Sequence, residues 1–140
     1  MKIVIDASAV IKWLLNGDPG EQDVAKAEAI LALLTAGDAQ AFQPLHWKVE
    51  ALSVVARRAP EKIGEAFKLL FETPVETVDG FEANVKAAEI AASLNHHMFD
   101  TLYHAVALQC DATLITADEA YFAKAYRRGS IKLLANFTSN

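Results

Sequence analysis

The chain opens with Lys2-Ile3-Val4-Ile5-Asp6, a short apolar run that an acidic residue closes. Its β-branched, uninterrupted character is typical of a strand that is buried on both faces. A second apolar run, Ala112–Ile115, is closed in a similar way by Thr116-Ala117-Asp118. Amphipathic helical patterns separate such runs, which predicts an α/β fold with a mainly parallel sheet covered on both faces.

The spacing of apolar residues predicts the remaining elements. Proline is favoured in the first turn of a helix, so Pro44 is expected to open one, and Pro60 is expected to end it. Weak strands are predicted at 41–43, 75–78 and 131–134, and further helices after Ser8, over 24–35, 61–71, 81–94 and 99–109, and from Asp118 onward.

The composition is that of a folded domain. Hydrophobic residues make up 53% of the 140 residues, which is enough for a core, and the length predicts one domain over residues 1–140. No apolar run is long enough to span a membrane, and the single cysteine, Cys110, excludes an internal disulfide. These features predict a cytoplasmic protein without membrane contact.

The charge of the chain excludes one class of nucleic-acid binder. A formal net charge of −5 disfavours a basic protein that coats nucleic acid without regard to sequence. Four of the 18 acidic residues belong to the candidate site described next, and without them the chain is nearly neutral.

Four acidic residues are candidates for one site. Asp6 and Asp118 each follow a predicted buried strand, and ligands of parallel α/β sheets bind at the carboxyl ends of strands. Glu50 and Asp100 lie within predicted helices in apolar surroundings. For these two, a favourable interaction with the helix dipole is an equal alternative to a role in the site.

Clustered carboxylates favour a hard cation. They repel one another, and a divalent ion with a preference for oxygen ligands, Mg²⁺ or Mn²⁺, removes that repulsion. A zinc site is not expected, because Cys110 is unpaired and His96 and His97 are adjacent rather than spaced as ligands. Such an acidic metal site is commonly used to hydrolyse phosphate esters.

Four ordered segments carry a resemblance to a known family. They are Val4-Ile5-Asp6-Ala7-Ser8-Ala9, Val49-Glu50-Ala51, Phe99-Asp100-Thr101-Leu102-Tyr103-His104-Ala105 and Leu114-Ile115-Thr116-Ala117-Asp118-Glu119. In this order they resemble the PIN-domain ribonucleases, and among these the VapC toxins of bacterial and archaeal toxin–antitoxin pairs. The resemblance covers essentially the whole chain.

The resemblance implies a fold, an activity and partners. The fold would be a three-layer α/β/α sandwich forming a single PIN-like domain. Asp6, Glu50, Asp100 and Asp118 would be catalytic and bind Mg²⁺ or Mn²⁺, and the hydroxyls of Ser8 and Thr116 would support them. The substrate would be RNA, cut to leave a 5′-phosphate. The partners would be a cognate antitoxin and a second copy of the chain in a homodimer.

Several other residues have two interpretations. His104, one helical turn from Asp100, is either a substrate or Asp100 contact or a buried, hydrogen-bonded histidine. Arg57 shares the face of Glu50 and either contacts RNA phosphate or an antitoxin, or complements the helix dipole. Glu119 is either an accessory acid or an exposed residue in the first turn of a helix. Lys12 is expected to be solvated. Trp13 and Trp47 either stack on bases or, as is more common for aromatic residues at helical spacing, lie in the core or a dimer interface.

Two other functions compete with that of a ribonuclease. A phosphatase of the haloacid dehalogenase type also opens with a strand ending in aspartate, but it needs a second aspartate where this chain has Ser8. A catalytically weak PIN-like module would bind metal or a partner without turning over substrate, and the intact set of acids argues against it.

Overall fold

The computed structural model describes residues 1–139, and within them it contains five strands and seven α-helices. None of these helices combines the length and the apolar character needed to cross a membrane. The strands are β1 (Lys2–Ile5), β2 (Gln40–Pro44), β3 (Glu76–Val78), β4 (Thr113–Thr116) and β5 (Ile131–Leu133), and the helices are α1 (Ala7–Leu14), α2 (Val24–Ala36), α3 (Trp47–Arg58), α4 (Ile63–Glu72), α5 (Phe81–Leu94), α6 (Met98–Gln109) and α7 (Glu119–Ala125).

The five strands form one parallel sheet in the order β3-β2-β1-β4-β5. The two strands predicted to be buried, β1 and β4, are neighbours at its centre, with Val4 paired to Leu114 and Ile5 to Ile115. All four of these side chains are almost fully buried. The predicted mainly parallel sheet is therefore confirmed.

Helices cover both faces of the sheet. The chain moves from β1 through β2 to β3 and then returns across the sheet to β4 and β5. Since crossovers between parallel strands are right-handed, the reversal puts α1–α4 on one face and α5–α7 on the other. Accordingly, α1 packs with α2 and α3, while α5 packs on α6 and α6 on the central strands. The expected three-layer α/β/α sandwich is confirmed.

Two expectations about individual residues are wrong. Pro44 does not open a helix: it is the last residue of β2 and pairs with Val78, and α3 begins at Trp47. A proline is tolerated at the end of a strand because few ladder bonds need its missing N–H there. Lys12 is not solvated but buried, and its Nζ lies 2.9 Å from Glu21 Oε2.

Ion pairs hold the segment that links α1 to α2 in place. Arg58, at the end of α3, reaches Glu21 Oε1 and Asp18 Oδ2 at 2.6 Å each. Burial raises the pKa of Glu21, but the bonds from Lys12 and Arg58 outweigh it and hold that pKa below its ordinary value. Trp13 lies in the core as expected, with its indole N–H donating to the Ala27 carbonyl, and Trp47 is also buried.

The side chain of Gln43 completes the pairing of β1 with β2. The two backbones pair at Lys2 with Gln40 and at Ile3 with Ala41. Farther along, the Ile5 N–H donates to Gln43 Oε1, and Gln43 Nε2 donates to the Ile5 carbonyl, both at 2.9 Å. Gln43 is fully buried. It therefore satisfies two backbone groups at the end of β1, one residue before Asp6.

Replacing Gln43 by leucine is expected to lower the free energy of unfolding by about 2–6 kcal/mol, because two buried backbone groups lose their partners. The substitution leaves the buried N–H and carbonyl of Ile5 without partners, at a cost of ~1–3 kcal/mol each. Urea denaturation of wild type and variant measures the difference. Gln40→Leu, at an exposed position of the same strand, is the control and should change stability by less than ~0.5 kcal/mol. Equal stability of Gln43→Leu and wild type would contradict the role of Gln43 as the hydrogen-bond partner of Ile5.

Candidate active site

The candidate site lies where the direction of the chain through the sheet reverses. From β1 the chain continues toward β2, and from the adjacent β4 it continues toward β5. The carboxyl ends of two such strands border a crevice, which is the usual ligand site of an open α/β sheet. Asp6 directly follows β1, and its N–H donates to the Ile115 carbonyl of β4 at 3.0 Å. The expected common edge for Asp6 and Asp118 is therefore present.

The carboxylate of Asp6 is held by two hydroxyl groups. Ser8 Oγ and Thr116 Oγ1 each donate to Asp6 Oδ2 at 2.7 Å. The same hydroxyls accept backbone N–H groups at 3.0 Å, Ser8 from Ala117 and Thr116 from Asp118. These contacts join the ends of β1 and β4 through the carboxylate. The second carboxylate oxygen, Oδ1, takes part in neither hydroxyl bond.

Asp6 is unusually difficult to ionise. Burial raises its pKa from the ordinary 3.8 to about 6, against the opposing effect of the hydrogen bonds from Thr116 and Ser8. The negative charges of Asp100 and Glu50 raise it further. Glu50 and Asp100 are thus close enough to Asp6 for their charges to oppose its ionisation.

Glu50 lies in the first turn of α3, half-buried beside two aromatic rings. Its Oε2 accepts from the Tyr103 hydroxyl at 3.0 Å and lies 3.1 Å from His46 Nε2. Burial, and then the charges of Glu50, Asp6 and Asp100, raise the pKa of Tyr103 well above its ordinary value. Tyr103 therefore remains a hydrogen-bond donor, which keeps the Glu50 carboxylate oriented.

Asp100 lies in the first turn of α6 and is flanked by two histidines. Its Oδ2 is 2.6 Å from His96 Nε2 and 3.2 Å from His97 Nε2. The two histidines are adjacent in sequence, which is not a typical spacing of zinc ligands, but the start of α6 brings both to Asp100. Within residues 1–139, they form with Asp100 the one group of three potential metal ligands whose ligand atoms lie within 4.8 Å of one another.

Asp118 is at the margin of the site. Its Oδ1 accepts from the Tyr121 N–H at 2.9 Å, so it caps α7. It is half-buried, and Glu119 beside it is exposed. Burial, with the charges of Asp100 and Asp6 and a smaller effect of Asp118, raises the pKa of Tyr121. Asp118 thus has a capping role in addition to its place at the sheet edge.

His104 does not face the acids. It is fully buried, with Nδ1 lying 3.1 Å from the Tyr121 hydroxyl and Nε2 lying 2.8 Å from the Gly129 carbonyl. Burial lowers the pKa of His104, so the ring is held neutral. The suggested contact with substrate or with Asp100 is therefore corrected to a core histidine whose two ring nitrogens are both occupied.

Arg57 shares a groove with one of the acids, Glu50. It is exposed and borders a groove of about 400 Å³ that also contacts Glu50, His97 and Phe99. Arg58, the next residue, points instead to Asp18 and Glu21. The two arginines therefore have different surroundings, although they are adjacent in sequence.

The donor set fits a divalent cation with a preference for oxygen. Asp6, Glu50 and Asp100 are buried or half-buried and mutually repulsive, and Asp6 Oδ1 is not taken up by the hydroxyls of Ser8 and Thr116. A divalent positive charge would relieve both the burial cost and the repulsion.

Three contributors to the site were missed from the sequence. His46 and His96 each lie four residues before an acid of the site, the spacing that joins neighbouring helical turns. Tyr103 follows Asp100 by three residues, yet its ring packs across to Glu50 on another helix. The first two could have been found from their spacing, whereas the contact of Tyr103 required the fold.

Comparison with known proteins found one matching family model. A family model described as the PIN domain matches residues 3–128. A comparison with curated protein sequences found no match.

Three solved structures share the fold. The chain is similar to VapBC2 from Rickettsia felis bound to a promoter DNA fragment (TM-score 0.67, 16% identity, 95% of this chain and 97% of that chain covered). It is also similar to VapBC-1 from nontypeable Haemophilus influenzae (TM-score 0.66, 18% identity, 97% of this chain and 100% of that chain covered). A third is VapC20 from Mycobacterium tuberculosis, described as a toxin that cleaves the sarcin–ricin loop (TM-score 0.65, 17% identity, 89% of this chain and 95% of that chain covered). At these identities the likeness establishes the fold.

The buried charge of Asp6 predicts a stabilising substitution. In metal-free buffer at about pH 7.5, Asp6→Asn should raise the free energy of unfolding by up to about 3 kcal/mol, because the folded state no longer bears the cost of a pKa near 6 rather than 3.8. Below the unfolded pKa the carboxyl is protonated in both states, so the gain should fall below ~1 kcal/mol at about pH 4 and approach zero at lower pH. Urea denaturation with a chelator at both pH values measures it.

The control for this measurement is Asp38→Asn, at an exposed position, which should show no comparable dependence on pH. A wild type and an Asp6→Asn variant of equal stability at both pH values would show that the carboxylate bears no such cost.

Proposed function

Because this chain belongs to the PIN-domain family, we propose that it is a divalent-metal-dependent endoribonuclease, a phosphodiesterase that acts as the toxin of a VapBC-type toxin–antitoxin pair. The observation that carries the proposal is the closeness of Glu50 and Asp100 to the buried Asp6, whose ionisation their charges oppose, beside the sheet edge where Asp118 also lies. The match to the PIN domain gives no support to the phosphatase alternative.

In this proposal the four acids hold Mg²⁺ or Mn²⁺ and position the scissile phosphate. When bound, the cation supplies a charge that polarises the phosphodiester and makes water more acidic. Ser8 and Thr116 fix the orientation of Asp6 through Oδ2, and Tyr103 does the same for Glu50 through Oε2. The role of these protein groups is to keep the carboxylates oriented before substrate arrives, so that little reorganisation is needed during the reaction.

Arg57 and the groove beside Glu50 are proposed to hold RNA next to the acids. The groove offers a guanidinium for a phosphate and the exposed ring of Phe99 for a base. Single-stranded nucleotides are commonly bound by this combination of stacking and charge. This arrangement is also compatible with the negative net charge of the chain, because RNA binding would depend on a local cation and Arg57 rather than on a basic surface.

The proposed protein partners are a cognate antitoxin and a second copy of the chain. Ile63, Phe67 and Phe71 are exposed on one helix, α4, and the two phenylalanine rings stack with centroids 4.3 Å apart. Exposed apolar groups that cluster in this way are typical of protein–protein contact surfaces. We propose that the protein acts in the cytoplasm, and that its antitoxin restrains it there.

The proposed activity is tested by RNA cleavage with purified protein. Asp6→Asn and Asp100→Asn should each reduce cleavage at least ~100-fold, because loss of even an outer-shell partner of a metal site costs ~10–100-fold. A chelator should abolish wild-type cleavage, and Mg²⁺ or Mn²⁺ should restore it. Sequencing of RNA ends after brief expression of wild type and Asp6→Asn identifies the sites cut.

Asp38→Asn is the matched control and should cleave like the wild type. Persistent cleavage by pure Asp6→Asn and Asp100→Asn proteins, or by wild type in excess chelator, would refute the proposed activity. A wild type that is stabilised thermally by Mg²⁺ or Mn²⁺ but never cleaves RNA would instead favour the binding module.

Arg57→Ala and Arg58→Ala provide a paired test of RNA binding. In an Asp6→Asn background, Arg57→Ala should weaken RNA binding and reduce the slope of log affinity against log salt concentration by about 1, as expected for one lost phosphate contact. Arg58→Ala removes the same charge but should leave the slope unchanged, because Arg58 is paired with Asp18 and Glu21. Fluorescence anisotropy with a single-stranded RNA measures both, and equal effects would exclude a specific role for Arg57.

A further inference from the structure

The cluster of His96, His97 and Asp100 differs in chemistry from the rest of the site. Both Nε2 atoms approach the same carboxylate oxygen, Asp100 Oδ2, at 2.6 and 3.2 Å. The imidazole rings are stacked with centroids 4.6 Å apart. One carboxylate and two imidazoles therefore converge on one point at the beginning of α6.

The exposure of these side chains suits a partly open metal site. His96 and Asp100 are largely covered, with 13% and 15% of their side chains exposed, whereas His97 is 62% exposed. Three protein ligands with one side open to water is a common arrangement for Zn²⁺. Ligand atoms around a tetrahedral ion with bonds of ~2.0–2.1 Å lie about 3.3 Å apart, so small side-chain rotations would suffice.

Two imidazole ligands also determine which cations would bind. Mg²⁺ prefers oxygen ligands, whereas Zn²⁺, Ni²⁺ and Co²⁺ bind imidazole readily. The acids Asp6 and Glu50 offer only oxygen, so the cluster and the acidic site favour different ions. Asp100 is the one residue that belongs to both.

Lys124 opposes a cation at this cluster. Its Nζ lies 3.2 Å from His96 Nδ1, and an ammonium group can only donate, so this nitrogen accepts and the ring proton is on Nε2. A metal at Nε2 requires that proton to be on Nδ1 instead. The positive charge of Lys124 also repels a cation. Removal of Lys124 should therefore strengthen metal binding at His96.

We propose that His96 Nε2, His97 Nε2 and Asp100 Oδ2 form a second cation site, selective for Zn²⁺ and related transition metals, whose occupation withdraws Asp100 from the acidic site. The second half of this proposal, inhibition by zinc, rests on the proposed ribonuclease function. The metal site itself does not, because its binding can be measured without RNA.

Isothermal titration calorimetry of ZnCl₂ into the full chain, with Mg²⁺ in large excess, tests the site. The wild type should bind one Zn²⁺. His97→Gln, at an exposed position, should weaken this binding at least ~10-fold, the lower end of the loss seen for outer-shell partners. Lys124→Met should strengthen it. His46→Gln is the matched control, since it removes an imidazole beside Glu50 rather than beside Asp100, and should leave zinc affinity unchanged.

The outcomes separate this proposal from the proposed function. No zinc binding by wild type, or equal zinc affinity in wild type and His97→Gln, would overturn the site. In a parallel assay, zinc should lower the Mg²⁺-dependent RNA cleavage of wild type, and the fraction lost should be smaller in His97→Gln. If the wild type bound zinc as described but cleaved no RNA with Mg²⁺, the ribonuclease and its inhibition would be refuted and the zinc site supported.

Discussion

The site depends on one constraint, the placement of a carboxylate in the interior of the protein at the end of β1. Asp6 is 95% covered, and burial alone would favour its protonated form. The surrounding residues act against that tendency only in part, through the hydroxyls of Ser8 and Thr116. Because part of the cost remains, a positive charge at the sheet edge would stabilise the folded protein. The negative charges of Glu50 and Asp100, carried by α3 and α6, increase this effect.

The residues that contact the acids hold the carboxylates in fixed orientations. Ser8 and Thr116 belong to the two central chain segments, and their hydroxyls also accept the N–H groups of Ala117 and Asp118. The position of Asp6 and the path of the chain after β4 are therefore fixed by the same bonds. On the other side of the crevice, Tyr103 donates from α6 to Glu50 on α3. The acids are thus positioned by contacts between elements that are distant in sequence.

The sequence predicted those parts of the molecule that depend on local pattern. The central strands, the parallel sheet and the edge shared by Asp6 and Asp118 follow from apolar runs and from what ends them. His104 and Lys12 were harder, because their environments depend on Gly129 and Glu21, which the fold brings to them. Pro44 was misassigned because a proline suits both a helix start and a strand end. The clustering of His96 and His97 at Asp100 depends on where α6 begins, which apolar spacing locates only to within a few residues.

Gln43 has a consequence for how the chain reaches its fold. It is 38 positions from Ile5, so no tight turn aligns the two strands, and the alignment must be selected when they meet. A slip by one position would present Phe42 or Pro44 to Ile5, and neither side chain can both donate to and accept from a peptide group. A register shifted by one residue would leave the backbone groups of Ile5 without these partners, so it would be less stable than the observed alignment. One amide side chain thereby ties the register of β1 and β2 to the position from which Asp6 extends.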